Sequence, residues 1–253
     1  MEHISKSQIK LVRSLQQKKF RDQLGLFIAE GDKCIQELRK NFELVLLVNP
    51  DNATPTEIQQ MSALRTPQGS IAVFKKEPSH HSKFITQNSL TLALDGIQDP
   101  GNLGTIIRTA DWFGVRDIVC SLDTADCYNP KVVQATMGAL ARVRVHYTNL
   151  PQWLSTLNAP IYGTLLDGKN MYDVLKQVTE NREQPTESCI VHCQPSIIIM
   201  GNEGNGISKE VREYITHPIR IPSYPSEAET SESLNVAIAT AIVLAEFRRL
   251  EAK

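Results

Sequence analysis

The chain has 253 residues, of which 41% are hydrophobic and 22% charged, a balance that provides for a full core and argues against disorder. No apolar run reaches the roughly 18 residues that a membrane span needs, and the opening MEHISKSQIK lacks the apolar centre of a secretion signal, so a cytoplasmic protein is expected. A net charge of -1 excludes a global basic field, and the five scattered cysteines (Cys34, Cys120, Cys127, Cys189, Cys193) are expected to be reduced thiols.

Residues 5–17 read as a helix with Ile9, Val12 and Leu15 on one side, and GDKCIQELRK as a second with Ile35 and Leu38 inward. FELVLLVN (42–49) and GSIAVFKK (69–76) are strand-like, with a helix expected from Pro55 to about Leu64 between them. Residues 1–76 therefore form a small α/β unit. Its first 21 residues carry six basic side chains (Lys6, Lys10, Arg13, Lys18, Lys19, Arg21) against Glu2, a local patch suited to phosphate contacts or a solvated helix face. The polar stretch 77–89 reads as a linker.

From Leu90 strands alternate with helices: LTLALDGI, NLGTIIRTADWFG, VRDIVCSL, NPKVVQATMGALARV, APIYGTLLDG, SIIIMG, HPIRIP and SLNVAIATAIVLAEFRRL. Apolar strands between helices indicate a parallel sheet covered on both faces, with ligands bound outside the carboxyl ends of the strands. The polar segment 179–195 reads as a surface insertion. Its CIVHC (189–193) brings Cys189, His192 and Cys193 together but supplies no fourth ligand at a zinc spacing, so no metal is expected.

Three loops carry chemistry. GNEGNGIS (201–208) follows a strand and precedes the helix SKEVREYI, but Ile207 stands where a phosphate-binding loop has its lysine, and the glycine order is not that of the dinucleotide fingerprint. The acid at its centre, Glu203, suits a ligand bringing hydroxyls, amines or positive charge. The last helix opens through Ser231, Glu232, Ser233 and Asn235. One serine suffices as its cap, which leaves Asn235 inside the first turn, competing with the backbone. After the first strand of this half, DPGNLGTIIRTADW places Asn102 and Arg108 six residues apart. A guanidinium among Ile106, Ile107, Ala110 and Trp112 is costly unless it is aimed at a ligand or buried in an ion pair with Glu203 or Asp95.

Together these loops resemble the ordered motifs of the SpoU, or TrmH, family of RNA ribose 2'-O-methyltransferases within the SPOUT superfamily. Asn-x-Gly-x-x-x-Arg stands as Asn102, Gly104 and Arg108. The glycine-rich motif stands as IIIMGNEGNGIS, and the third as RIPSYPSEAETSESLNVAIATAI. The loop SYPSEAETS is longer than usual for the family and lacks its glycine. FRDQLGLFIAEGDKCIQEL (20–38) resembles the Phe-x-x-Glu-Gly signature of the family's small N-terminal substrate-binding domain, similar to a ribosomal-protein fold.

The resemblance implies an α/β fold, a SPOUT-type parallel sheet with a C-terminal trefoil knot over 90–253, joined through 77–89 to a substrate-binding domain at 1–76. It implies S-adenosyl-L-methionine (AdoMet) held at Gly201, Ile221 and Leu234, and functional roles for Asn102, Arg108, Glu203, Ser233 and Asn235. Arg108 is too weak an acid to serve as a base at neutral pH, so its expected part is stabilising the developing 2'-oxyanion. Further expectations are an RNA substrate, ribosomal over transfer RNA, and a homodimer with a composite active site. The alternative is a noncatalytic RNA-binding or ribosome-assembly factor with the same fold. Removing residues 1–76 is expected to weaken RNA binding more than cofactor binding.

Overall fold

In the computed structural model, which describes residues 3–77, 90–180, 195–225 and 233–251, Ser5 and Gln8 form a reciprocal cap that starts helix α1 (Lys6–Ser14). Thr54 and Glu57 do the same for α4 (Pro55–Met61). Each cap satisfies backbone N–H groups that the first helical turn leaves unpaired. The chain divides into two units, the first being Met1–His80 with Asp99–Arg108 and Ala125–Arg144, the second His81–Gln98 with Thr109–Thr124 and Val145–Lys253.

The first unit holds an antiparallel sheet of β1 (Leu26–Glu30), β2 (Leu44–Val48) and β3 (Ile71–Lys75), with β3 in the middle. Because side chains alternate across a strand, Ile28, Ile71 and Val73 join Val12, Leu15, Ile58 and Met61 of α1 and α4 in one core. Phe27 and Phe74 form a second buried layer, stacked at 5.6 Å between centroids. Each fully buried side chain of this size contributes roughly 1.5–3 kcal/mol.

Two elements of this unit differ from the sequence reading. Helix α2 (Lys18–Leu24) and strand β1 meet at Gly25, whose φ of 65° makes it a left-handed helix cap; α3 (Asp32–Leu38) follows. Arg21 does not belong to an exposed basic patch: it is 1% exposed. Lys18 is exposed but tied to Asp22 at 2.7 Å, which leaves Lys6, Lys10, Arg13 and Lys19 as the exposed basic side chains of that stretch with no ion pair among the described residues.

The second unit is built on a six-stranded sheet in the order β6 (Arg144–Tyr147), β5 (Asp117–Cys120), β4 (Leu90–Asp95), β8 (Ser196–Gly201), β7 (Ile161–Asn170), β9 (His217–Arg220). The pairs β4–β5, β4–β8, β7–β8 and β7–β9 are parallel. All six residues of β4 are buried. The strand order runs one way from β4 to β6 and the other way through β8, so a crevice opens at the carboxyl ends of β4 and β8. Helix α10 (Val236–Glu251) packs on β8 and on α8 (Met171–Glu180).

The helix expected over 129–143 stops early. Helix α6 (Pro130–Thr136) ends at Met137 (φ 51°) and Gly138 (φ 89°), and a short 3-10 turn, Ala139–Ala141, leads to β6. Two successive left-handed residues cannot continue a right-handed helix. β6, α8 and the short helix α7 (Leu150–Leu154) escaped the sequence reading, while the helix expected after the glycine-rich loop is only the single turn α9 (Lys209–Arg212). Most of the linker (78–89) and most of the insertion (181–194), including Cys189, His192 and Cys193, lie outside the described residues.

Candidate active site

Asp95 ends β4, and its buried carboxylate accepts the backbone N–H of Ser208 at 2.7 Å. Gly96 follows with φ 72°; its N–H donates to Ser121 Oγ at 2.8 Å and its carbonyl accepts Asn202 Nδ2 at 2.6 Å. The loops after β4 and β8 are thus pinned to each other at the switch point. Asp95 holds the glycine-rich loop and is not the buried partner expected for Arg108.

Asn202 organises the loop after β8. Its backbone exchanges two 2.9 Å hydrogen bonds with Gly206, and its Oδ1 accepts the N–H groups of Gly204 and Asn205 at 2.9 and 3.0 Å. The hairpin is so tight that a Cβ on Gly201 would lie 2.4 Å from Gly206 C and Ile207 N; only glycine fits there. Glu203 stands exposed at the tip. Asn202, Asp95 and Ser121 were missed as site-building residues, although Asn beside Glu in GNEG and an Asp closing an apolar strand were visible signals.

Ile221 leaves β9, on the far side of β7 from Gly201, and is half-buried. Residues 226–232 lie outside the described residues. Ser233 and Leu234 then precede Asn235, all three exposed. Asn235 is the cap of α10 itself: its Oδ1 accepts Ala237 N at 3.0 Å and Ile238 N at 3.3 Å. It therefore sits before the first turn and not inside it, where its side chain pairs with the backbone to the helix's benefit.

Helix α5 (Pro100–Trp112) is capped by Asp99, whose Oδ1 accepts Asn102 N at 2.8 Å. Leu103, Ile106, Ile107 and Ala110 are fully buried, whereas Arg108 is exposed. The arginine therefore follows the solvent face of the helix, and no ion pair engages it among the described residues. Asn102 lies in the first turn, so six helical residues set it about 120° around the axis from Arg108. Gly104, between them, is buried against α6: a Cβ there would meet Ala135 Cβ at 2.5 Å and Val132 O at 2.8 Å. The glycine of the Asn-x-Gly-x-x-x-Arg motif is thus a close-approach residue.

The donors fit AdoMet in kind. Gly201 and the loop behind it offer backbone groups, Leu234 (48% exposed) and Leu166 offer apolar surface, and the exposed Glu203 favours a cationic ligand. Among the described residues no cluster of metal-ligating side chains occurs.

These features define a parallel α/β protein with a glycine-rich ligand crevice at its topological switch point. Residues 89–245 match the SpoU rRNA Methylase family, and the chain belongs to that family. Residues 6–76 match the MRM3-like substrate binding domain. The chain is 28% identical to the 23S rRNA (guanosine(2553)-2'-O)-methyltransferase RlmP of Bacillus subtilis over 98% of both chains. Among solved structures it is similar to a protein of the TrmH family of RNA methyltransferases from Porphyromonas gingivalis, with 37% identity and a TM-score of 0.80 over 98% of this chain and 99% of that one. The AdoMet-bound rRNA methyltransferase of Sinorhizobium meliloti aligns at 30% identity and a TM-score of 0.80, over 99% and 97%.

Proposed function

We propose that this chain methylates a ribose 2'-hydroxyl of structured RNA, ribosomal in preference to transfer RNA, with AdoMet as donor. When bound, AdoMet supplies a methyl group made electrophilic by its sulfonium. The observation that carries the reading is Arg108, an exposed cation on a helix whose other face is fully buried. Such a guanidinium, carried on a helix anchored by its buried face and permanently charged, stabilises negative charge growing on the 2'-oxygen. Ser233 relays the proton, Asn102 orients the ribose, Glu203 favours the cationic donor, and Asn235 fixes the start of α10 beside Leu234. Gly201, Ile221 and Leu234 hold the cofactor.

The same reading assigns 90–253 a C-terminal trefoil knot and the catalytic function. It assigns 1–76 a ribosomal-protein-like fold that meets RNA phosphates through Lys6, Lys10, Arg13 and Lys19. It also makes the enzyme a cytoplasmic homodimer with a composite site. Trp112 at the end of α5 is 85% exposed and Ile238 on α10 is 56% exposed. Arg248 Nε donates to Phe113 O at 2.6 Å, and the exposed Trp112 and Ile238 are the apolar side chains offered to a second copy.

The test is transfer of labelled methyl from AdoMet to total RNA, with Arg108→Ala alongside. Label in ribose that disappears in the variant is the expected result. AdoMet binding without transfer to any RNA, including assembly intermediates, turns the reading toward a noncatalytic assembly factor.

A further inference from the structure

Arg21 lies far in sequence from the three loop motifs, yet it is among the most completely buried side chains of the first unit. Its Nε and Nη2 donate to Asp126 Oδ2 at 3.1 and 2.7 Å, and its Nη1 donates to the carbonyls of Leu15 and Gln16, both at 2.9 Å. The other oxygen of Asp126 accepts Tyr128 N at 2.9 Å, and Asn129 caps α6 in the same turn. Tyr128 is wedged against Phe27 at 4.8 Å, with Phe42 edge-on at 6.4 Å and the Lys76 ammonium over its ring. The far end of the segment is held as well: Gln134 donates to Gln68, Arg142 pairs with Glu37 at 2.6 Å, and a Cβ on Gly138 would strike Glu37 at 2.5 Å. The residues before Lys76 therefore grip the segment 125–144 along its length. That segment in turn abuts α5 at Gly104, two residues after Asn102 and one turn before Arg108.

We infer that Arg21 is a positioning residue for the methyl transfer: it fixes the turn at Asp126, the turn fixes α6, and α6 sets α5 through Gly104. The inference rests on the function proposed above for its kinetic arm. It makes the N-terminal segment part of the apparatus that aims the Asn102–Arg108 helix, in addition to any contact it makes with RNA. Without Arg21 the Asp126 Oδ2, on a side chain only 11% exposed, loses both its donors and drives the turn to rearrange toward water, and a displacement of about 1 Å in an aligned group costs about 10²-fold in rate.

The experiment compares full-length Arg21→Met and Arg21→Lys with Ile58→Ala, a core truncation in the same unit whose side chain makes none of these hydrogen bonds, at a temperature where circular dichroism shows all three folded. Arg21→Met is expected to lower kcat by about 10²-fold while KM for RNA stays within about twofold; Arg21→Lys recovers part of the loss, and Ile58→Ala keeps its kcat. Amide hydrogen exchange over 100–108 and 130–136 is expected to rise in Arg21→Met and not in Ile58→Ala. Unchanged exchange in those two stretches overturns the inference whether or not any RNA is methylated. So does a kcat loss in Ile58→Ala equal to that in Arg21→Met, or a change confined to KM for RNA. A wild-type protein that methylates no RNA counts against the proposed function, and the exchange data still decide the inference.

Discussion

The carboxylate of Asp95 and the backbone N–H of Ser208, 113 residues apart, meet at 2.7 Å. This bond holds the exit of the glycine-rich loop against the end of the neighbouring strand. Asp95→Ala leaves a partly buried N–H without its acceptor and is expected to cost about 1–3 kcal/mol. Because the loop it releases carries Gly201, AdoMet affinity falls as well. Calorimetric titration beside a denaturant melt measures both; full affinity in a destabilised variant separates the loop from the cofactor.

Arg108→Ala is expected to behave oppositely. The side chain is exposed, so stability changes by no more than about 0.5 kcal/mol. Methyl transfer falls by about 10²–10³-fold, as for removal of one preorganised oxyanion donor. Loss of stability on a par with loss of rate argues against an electrostatic role.

Arg21→Met leaves the largely covered Asp126 carboxylate without its cation, and breaking such a pair costs up to about 3–5 kcal/mol. The double change Arg21→Met with Asp126→Leu is expected to recover most of that, since an apolar pair of similar volume escapes the desolvation cost. Urea titration of the two variants measures the difference. If the double variant is no more stable than the single, the carbonyl partners of Arg21 at Leu15 and Gln16 dominate instead.

Burial pushes the Cys34 thiol up from 9.0 to about 11 and pushes the Tyr128 phenol up from its ordinary value too. Unfolding returns both groups to water, where they lose their protons at lower pH. The stability tied to Cys34 is complete below pH 9.0 and is lost as pH rises through about 11; that tied to Tyr128 begins to fall only as pH rises past the ordinary tyrosine value and continues to fall at higher pH. Urea midpoints at about pH 8 and about pH 10.5 are expected to differ less in the Cys34→Ala, Tyr128→Phe double variant than in the wild type. An equal fall in both proteins sinks the assignment.

Trp112→Glu places a charge in the apolar face proposed for the second copy. Light scattering on a sizing column is expected to show a dimer for the wild type and a monomer for the variant. A monomeric wild type removes that part of the proposal.

The pattern of apolar runs made the parallel sheet readable from Leu90 onward, because strands covered on both faces are apolar without interruption. The motifs singled out Asn102, Arg108 and Glu203; in the structure Arg108 and Glu203 are exposed and Asn102 is half-buried, so Arg108 lies on the solvent face of its helix and not within the apolar face that Ile106 and Ile107 suggested. Three readings went astray for identifiable reasons. Arg21 looked like one more surface cation because charge counting is blind to a carboxylate at position 126. The helix over 129–143 looked continuous because a methionine at positive φ leaves no mark in hydropathy. Asn235 was displaced by one helical position, since either Ser233 or Asn235 can cap and only the hydrogen bonds to Ala237 and Ile238 decide.

The grip of the first residues on 125–144 bears on synthesis. Phe27 and Phe42 leave the ribosome well before Tyr128, the ring that packs against them. At ordinary elongation rates that interval lasts a few seconds. Throughout it the nascent sheet lacks the ring that packs on Phe27 and Phe42, so a chain stalled before residue 128 leaves those two aromatic side chains more open to water. Chimeras that join this N-terminal segment to another family member must carry its own residues 126–142 across with it.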